Sequence, residues 1–333
     1  MTSTDTRKGT QHTPPQQRRA DRSRLVRDYG IVISIAVLVI LLSVSTDTFL
    51  TAGNLLNLLD QMVVVGILAC GATLCIISGI FDLSMSAVLA VSAVVGVFAT
   101  QRLGIGAGFV VAIAIGAALG SLNGVIVTRI GVHSFIATLA SGIVYRGIAV
   151  LLTGGAIVYP LTHQLVGFRI LNYPVQPMGL TVASWLFLVV IALTGLLLSR
   201  TTFGRSFYAV GGNAEAARLS GINVNRVRVL ALTISGICAA LAGLVLASRA
   251  GSAQASLGTG LELTAIAATV VGGTSIMGGE GAIWRAVAGV LILQLFSNGF
   301  NLLGWDTTYQ EVVTGSLILI AVSVDQVLRR KRK

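Results

Sequence analysis

Ten apolar runs separated by polar breaks organise the chain. They fall at about residues 30–45, 55–78, 85–100, 105–128, 134–152, 180–198, 229–247, 261–271, 284–303 and 312–328. A spanning helix takes roughly 20 residues, so the pattern predicts an all-α polytopic membrane protein of about ten transmembrane helices, several of them short for a full crossing. Glycines at 272 and 273 follow the eighth run closely. Two connections are long: residues 153–179, with Pro160, Pro174 and Pro177, and the basic segment 200–228. Residues 1–28 are polar, with Pro14, Pro15 and three glutamines, which predicts a disordered tail. This tail is too long for a secretory signal, and no small-residue cleavage site follows the first run. The expected organisation is that tail, a transmembrane domain over 29–328 and a short basic tail over 329–333.

Composition agrees with the runs. Mean hydropathy is +0.88, 54% of residues are hydrophobic and 11% are charged, against about 25% charged in soluble domains. The net charge of +11 could suggest nucleic acid, but its placement points to a membrane instead. With the chain starting inside and crossing ten times, 19 of the 23 basic residues fall inside, and Arg102, Arg169 and Arg249 fall outside. Arg146 lies within a span. This asymmetry predicts both termini in the cytoplasm. No basic groove with interleaved aromatics supports a nucleic-acid partner.

The small and sulfur-bearing residues read as packing. Gly116, Gly120 and Gly124 repeat every four residues and make one smooth helix face, which permits close helix approach. Gly236 and Gly243 mark the seventh run in the same way. Cys70, Cys75 and Cys238 all sit in apolar runs without Cys-x-x-Cys spacing, so neither a metal nor a disulfide framework is indicated. Gly104, Gly106 and Gly108 lack the preceding strand and the later glycine of a dinucleotide fingerprint. The three histidines, His12, His133 and His163, show no spacing of a hydrolase triad or of a metalloprotease helix.

The energy source is the next question. Lys8, Lys331 and Lys333 are the only lysines, and none follows a Gly-x-x-x-x-Gly stretch, so the chain carries no Walker-type ATP site. Asp60, Asp82, Arg146 and Glu262 are a thin set for an ion-coupled carrier, which remains an alternative. The inside segment is more informative. Asn213 is suited to cap a helix, Glu215 sits at the positive end of its dipole, alanines favour it, and Gly221 suits the left-handed position after its end. A helix of two turns is unstable alone in water and must dock, on its own bundle or on a cytoplasmic partner. Among candidate pathway residues, Asp82 requires water or protein around it or caps a helix. Asn298 and Asn301, three apart, share a helix face. Arg146 needs a carboxylate or a lipid phosphate.

Glu215-Ala216-Ala217, followed three residues later by Gly221, resembles the EAA loop of ABC importer permeases. Residues 204–224 are similar to the ribose-type monosaccharide permeases of that group. ELTAIAATVVGGTSIMGGEG, over 262–281, resembles their ELDAIAA…GGTS…GG-G block. NGFNLLG, over 298–304, resembles the block that follows, and GIFDLS, over 79–84, resembles GGIDLS. The resemblance covers about residues 54–325. Ile80 and Ser86 stand where that family has glycines, and Thr264 stands where it has aspartate.

The resemblance implies the membrane-spanning subunit of a binding-protein-dependent importer for a monosaccharide or related polyol, with an amino acid or other small polar solute as the alternative. Implied partners are ABC ATPase subunits, a periplasmic substrate-binding protein and a second permease subunit, in the lipid of the bacterial inner membrane. ATP and magnesium then belong to the ATPase, and no cofactor to this chain. Asn213, Glu215, Ala216, Ala217, Arg218 and Gly221 become the ATPase-coupling set. Spans two to five and seven to ten become inverted repeats.

Overall fold

The computed structural model describes residues 15–305 and five positions between 312 and 319. Nine of the ten apolar runs are helical. They give α1 (Pro15–Ser45), α2 (Ala52–Ile77), α3 (Met85–Leu103), α4 (Ile105–Val125, continued by a wider turn over Ile126–Ile130) and α5 (Ser134–Thr153). A short α6 (Leu165–Phe168) follows, then α7 (Val182–Arg200), α8 (Thr202–Gly212), α9 (Ala214–Leu219), α10 (Val224–Ala250), α11 (Leu261–Val271) and α12 (Ile283–Leu302). Seven of these are long and apolar enough to cross a membrane. The apolar part of α1, Tyr29–Ser45, and α11 are shorter. The chain is therefore an all-α polytopic membrane protein. The tenth run, 312–328, and the basic end 329–333 lie largely or wholly outside the described residues, as do residues 1–14, whereas residues 15–28, expected to be disordered tail, are helical and lead into the first apolar run as one helix.

α2 and α10 form the centre. α3 and α4 pack on α10, α11, α12 and α7 pack on α2, α5 packs on α3, and α1 packs on α12. In lipid no hydrophobic force drives helices together, so association depends on close packing and interhelical hydrogen bonds. The glycine face of α4 supplies the packing. A Cβ at Gly116 would collide with the Gly236 carbonyl, one at Gly120 with the Leu232 carbonyl, and one at Gly124 would come 2.7 Å from the Val229 Cα. Gly243 likewise lies against the Leu89 carbonyl.

The bundle has two ends. At one, Arg249 forms an ion pair with Asp60 at 2.9 Å, and Asn54 and Asn298 exchange amide hydrogen bonds of 2.8 and 3.1 Å. The connection 153–181 also lies there, with α6 and a two-residue hairpin of β1 (Pro174–Val175) and β2 (Leu180–Thr181). It is tied to α2 by Thr181, whose hydroxyl donates to Asp60 at 2.6 Å. At the other end lie α8, α9 and the turn between α11 and α12. Segment 200–228, read from sequence as a loop with one short helix, in fact holds two helices with an elbow between them.

Candidate functional site

The elbow is built from local rules. Thr201 accepts from the Gly204 N–H at 3.0 Å and starts α8. α8 buries Gly204, Phe207 and Val210, spaced every three residues, against the bundle. Asn213 ends α8, its N–H donating to the Ala209 carbonyl at 3.1 Å, and starts α9, its side-chain oxygen accepting from the Ala216 N–H at 3.0 Å. Gly221, with φ of +85°, closes α9 through bonds to Arg218 and from Ile222 to Ala217. Only glycine takes this left-handed conformation without strain.

Of α9, Ala217 faces the bundle, while Glu215, Arg218 and Leu219 are exposed, Leu219 by 79%. Glu215 and Arg218 pair at 2.6 Å, and that hydrogen bond holds the guanidinium pKa above its ordinary value. An exposed pair of this kind adds little stability. The surface that α9 leaves open is thus a small helix with one bare leucine and a charge pair.

The second cluster is interior. Asp82 lies on the non-helical link 78–84 between α2 and α3, and is 3% exposed. One carboxylate oxygen accepts from the Ser84 hydroxyl at 2.6 Å and from the Ser84 N–H at 3.0 Å. The other accepts from the Ser235 hydroxyl at 2.6 Å. Ser84 in turn accepts from Asn123 at 2.8 Å, and the Asn123 carbonyl oxygen accepts from the Tyr145 hydroxyl at 2.9 Å. Ser235 is the twelfth residue of α10, about 16 Å along the helix from Val224. Asp82 therefore holds Ser84, the residue that precedes α3, and joins that turn to α4, α5 and α10 deep in the bundle.

Arg146 reaches across to the second non-helical link, 251–260. Its guanidinium donates to the Ala255 and Leu257 carbonyls at 2.6 and 3.0 Å and to the Ser86 hydroxyl at 3.0 Å. Its direct partners are thus backbone and a hydroxyl, with Glu262 adding attraction through space. Asn298 is buried on Asn54, whereas Asn301 is exposed near the end of α12. The three cysteines are buried and free. Among the described residues no group of His, Cys, Asp or Glu is arranged to hold a metal.

Sequence reasoning did not find α8 or the partners of Asp82 and Arg146. Thr201 as a cap and the apolar spacing after it could have revealed α8. The partners lie up to 153 residues away and leave no local mark.

Comparison with known proteins gives consistent matches. The family model described as branched-chain amino acid transport system / permease component matches residues 54–322. The ribose import permease protein RbsC of Escherichia coli (strain K12) is 40% identical over 301 residues, covering 88% of this chain and 92% of that protein. RbsC of Bacillus subtilis (strain 168) is 39% identical over 95% of this chain and 98% of its own length. The D-allose transport system permease protein AlsC of Escherichia coli (strain K12) is 35% identical over 91% and 92%. No solved structure matches.

Proposed function

The chain belongs to the family described as branched-chain amino acid transport system / permease component, and on that premise we propose that it is the membrane-spanning subunit of an ATP-driven importer of a monosaccharide or related polyol in the bacterial inner membrane. Its likeness, over most of its length, to permeases named for ribose and allose carries this reading. It is a transporter subunit and not an enzyme. ATP and magnesium act on a separate ATPase, and a periplasmic binding protein delivers the solute to a pair of permease subunits.

In this reading the end of the bundle with α8 and α9 faces the cytoplasm, both termini lie there, and the tenth run completes the domain 29–328. Spans two to five and seven to ten are inverted repeats. Two packing facts support that symmetry: α3 and α4 lie on α10 as α11 and α12 lie on α2, and the links after α2 and α10 follow their helices at opposite ends. Asn213, Glu215, Ala216, Ala217, Arg218 and Gly221 form the surface that the ATPase moves. Asp82, Arg146 and Asn298 fix the walls along which the solute passes, and Asn301 edges them.

The test is reconstitution in proteoliposomes with the accompanying ATPase and binding protein. ATP-dependent uptake of ribose, allose or arabinose is the expected result. Branched-chain amino acids, favoured by the family's own description, are the second reading, and leucine uptake instead of sugar would establish it. Uptake driven by an ion gradient without the ATPase would overturn both. Gly221→Asp should leave the protein in the membrane and abolish uptake, because it forces a side chain into the left-handed position that closes α9 and adds a charge at the docking surface.

A further inference from the structure

Three separate stretches of backbone meet at the foot of α8 with almost no side chain between them. A Cβ at Gly211 would collide with the Ile77 carbonyl and come 2.7 Å from the Gly279 nitrogen. One at Gly278 would lie 2.9 Å from the Gly211 oxygen and 3.1 Å from the Gly79 Cα, and one at Gly279 would lie 2.8 Å from the Gly212 Cα. Gly79, Gly278 and Gly279 all have positive φ. Two hydrogen bonds hold the contact: the Gly279 N–H donates to the Ile77 carbonyl at 2.9 Å, and the Tyr208 hydroxyl donates to the Gly281 carbonyl at 2.8 Å.

The position of this contact matters as much as its closeness. On one side Asn213 is tied to both α8 and α9, so a displacement of α9 moves the last turn of α8. On the other side Ile77 ends α2 and leads within five residues to Asp82, and residues 272–282 join α11 to α12. Side chains can absorb a displacement by changing rotamer, but backbone in van der Waals contact cannot. The apposed backbone is therefore a stiff connection between the exposed helix and three helices of the bundle.

We propose that Tyr208 and Gly211 of α8, with Ile77, Gly278 and Gly279, form the joint that passes movement of α9 into α2, α11 and α12. This rests on the reading that an ATPase moves α9, and it adds positioning residues outside the coupling set. Tyr208 acts through Gly281, and Gly211 by admitting Ile77 and Gly279.

The joint is tested in the reconstituted transporter with Tyr208→Phe and Gly211→Ala, reading permease level, co-purified ATPase, and substrate moved per ATP hydrolysed. Tyr208→Phe should assemble with the ATPase normally and move about fivefold less substrate per ATP, the effect of one lost neutral hydrogen bond. Gly211→Ala should lower the ratio further, and if it fails to accumulate, Tyr208→Phe decides alone. A wild-type ratio in Tyr208→Phe overturns the joint, and Gly221→Asp separates the two ideas. If Gly221→Asp blocks uptake while Tyr208→Phe does not, coupling stands and the joint falls. If ATP is not needed at all, the importer reading itself has failed.

Discussion

The two non-helical links, 78–84 after α2 and 251–260 after α10, solve the same problem with opposite charges. Backbone that leaves a helix inside an apolar bundle must find partners within the protein. In the first link three N–H groups find side-chain acceptors. The Phe81 and Leu83 N–H groups donate to the Ser134 and Thr138 hydroxyls at 3.1 and 3.0 Å, and the Ser84 N–H to Asp82. In the second link the Ala255 and Leu257 carbonyls find their donor in Arg146. A carboxylate only accepts and a guanidinium only donates, so Asp82 suits the Ser84 N–H and Arg146 suits the two carbonyls. Both links lean on α5, which offers Ser134 and Thr138 near its start and Arg146 further along.

Removing the charges should break the two links unequally. Asp82→Leu strips three donors of their acceptor in a fully buried place, and should cost on the order of 4 kcal/mol. A sharp fall in the monodisperse protein recovered from membranes would register it. Arg146→Met should cost about 2–3 kcal/mol, because Arg146 is only half-buried and water can replace part of what is lost. Hydrogen exchange should rise over 251–260 and not over 78–84, and equal rises in both would refute their independence. Tyr145→Phe removes only the far end of the chain of bonds to Asp82, and should lower thermal stability by about 1 kcal/mol while leaving Arg146 and its link unaffected.

Several features were legible because their causes are local. A run of apolar residues long enough to satisfy lipid becomes a helix whatever surrounds it, so nine runs coincide with helices. Glycines four residues apart necessarily share a face, and Gly116, Gly120 and Gly124 do meet α10. Asn213 and Gly221 cap α9 as their chemistry requires. α8 escaped notice because two glycines and a tyrosine in its last turn look like loop, whereas in the structure they are what allows it to touch Ile77 and Gly279. The neighbours of Arg146 could not be read, since a backbone carbonyl carries no residue identity.

The sequence by itself determined which stretches are apolar helices, where the short exposed helix begins and ends, and which family the chain resembles. Tertiary structure decided which helices are central. α2 and α5 have nearly the same hydropathy, yet 89% of the apolar window of α2 is buried within the protein and only 28% of that of α5. In water those fates would demand different sequences. In lipid an apolar side chain is satisfied equally by a neighbouring helix or an acyl chain, so hydropathy cannot distinguish them, and the packing of each helix against its neighbours decides which lies inside.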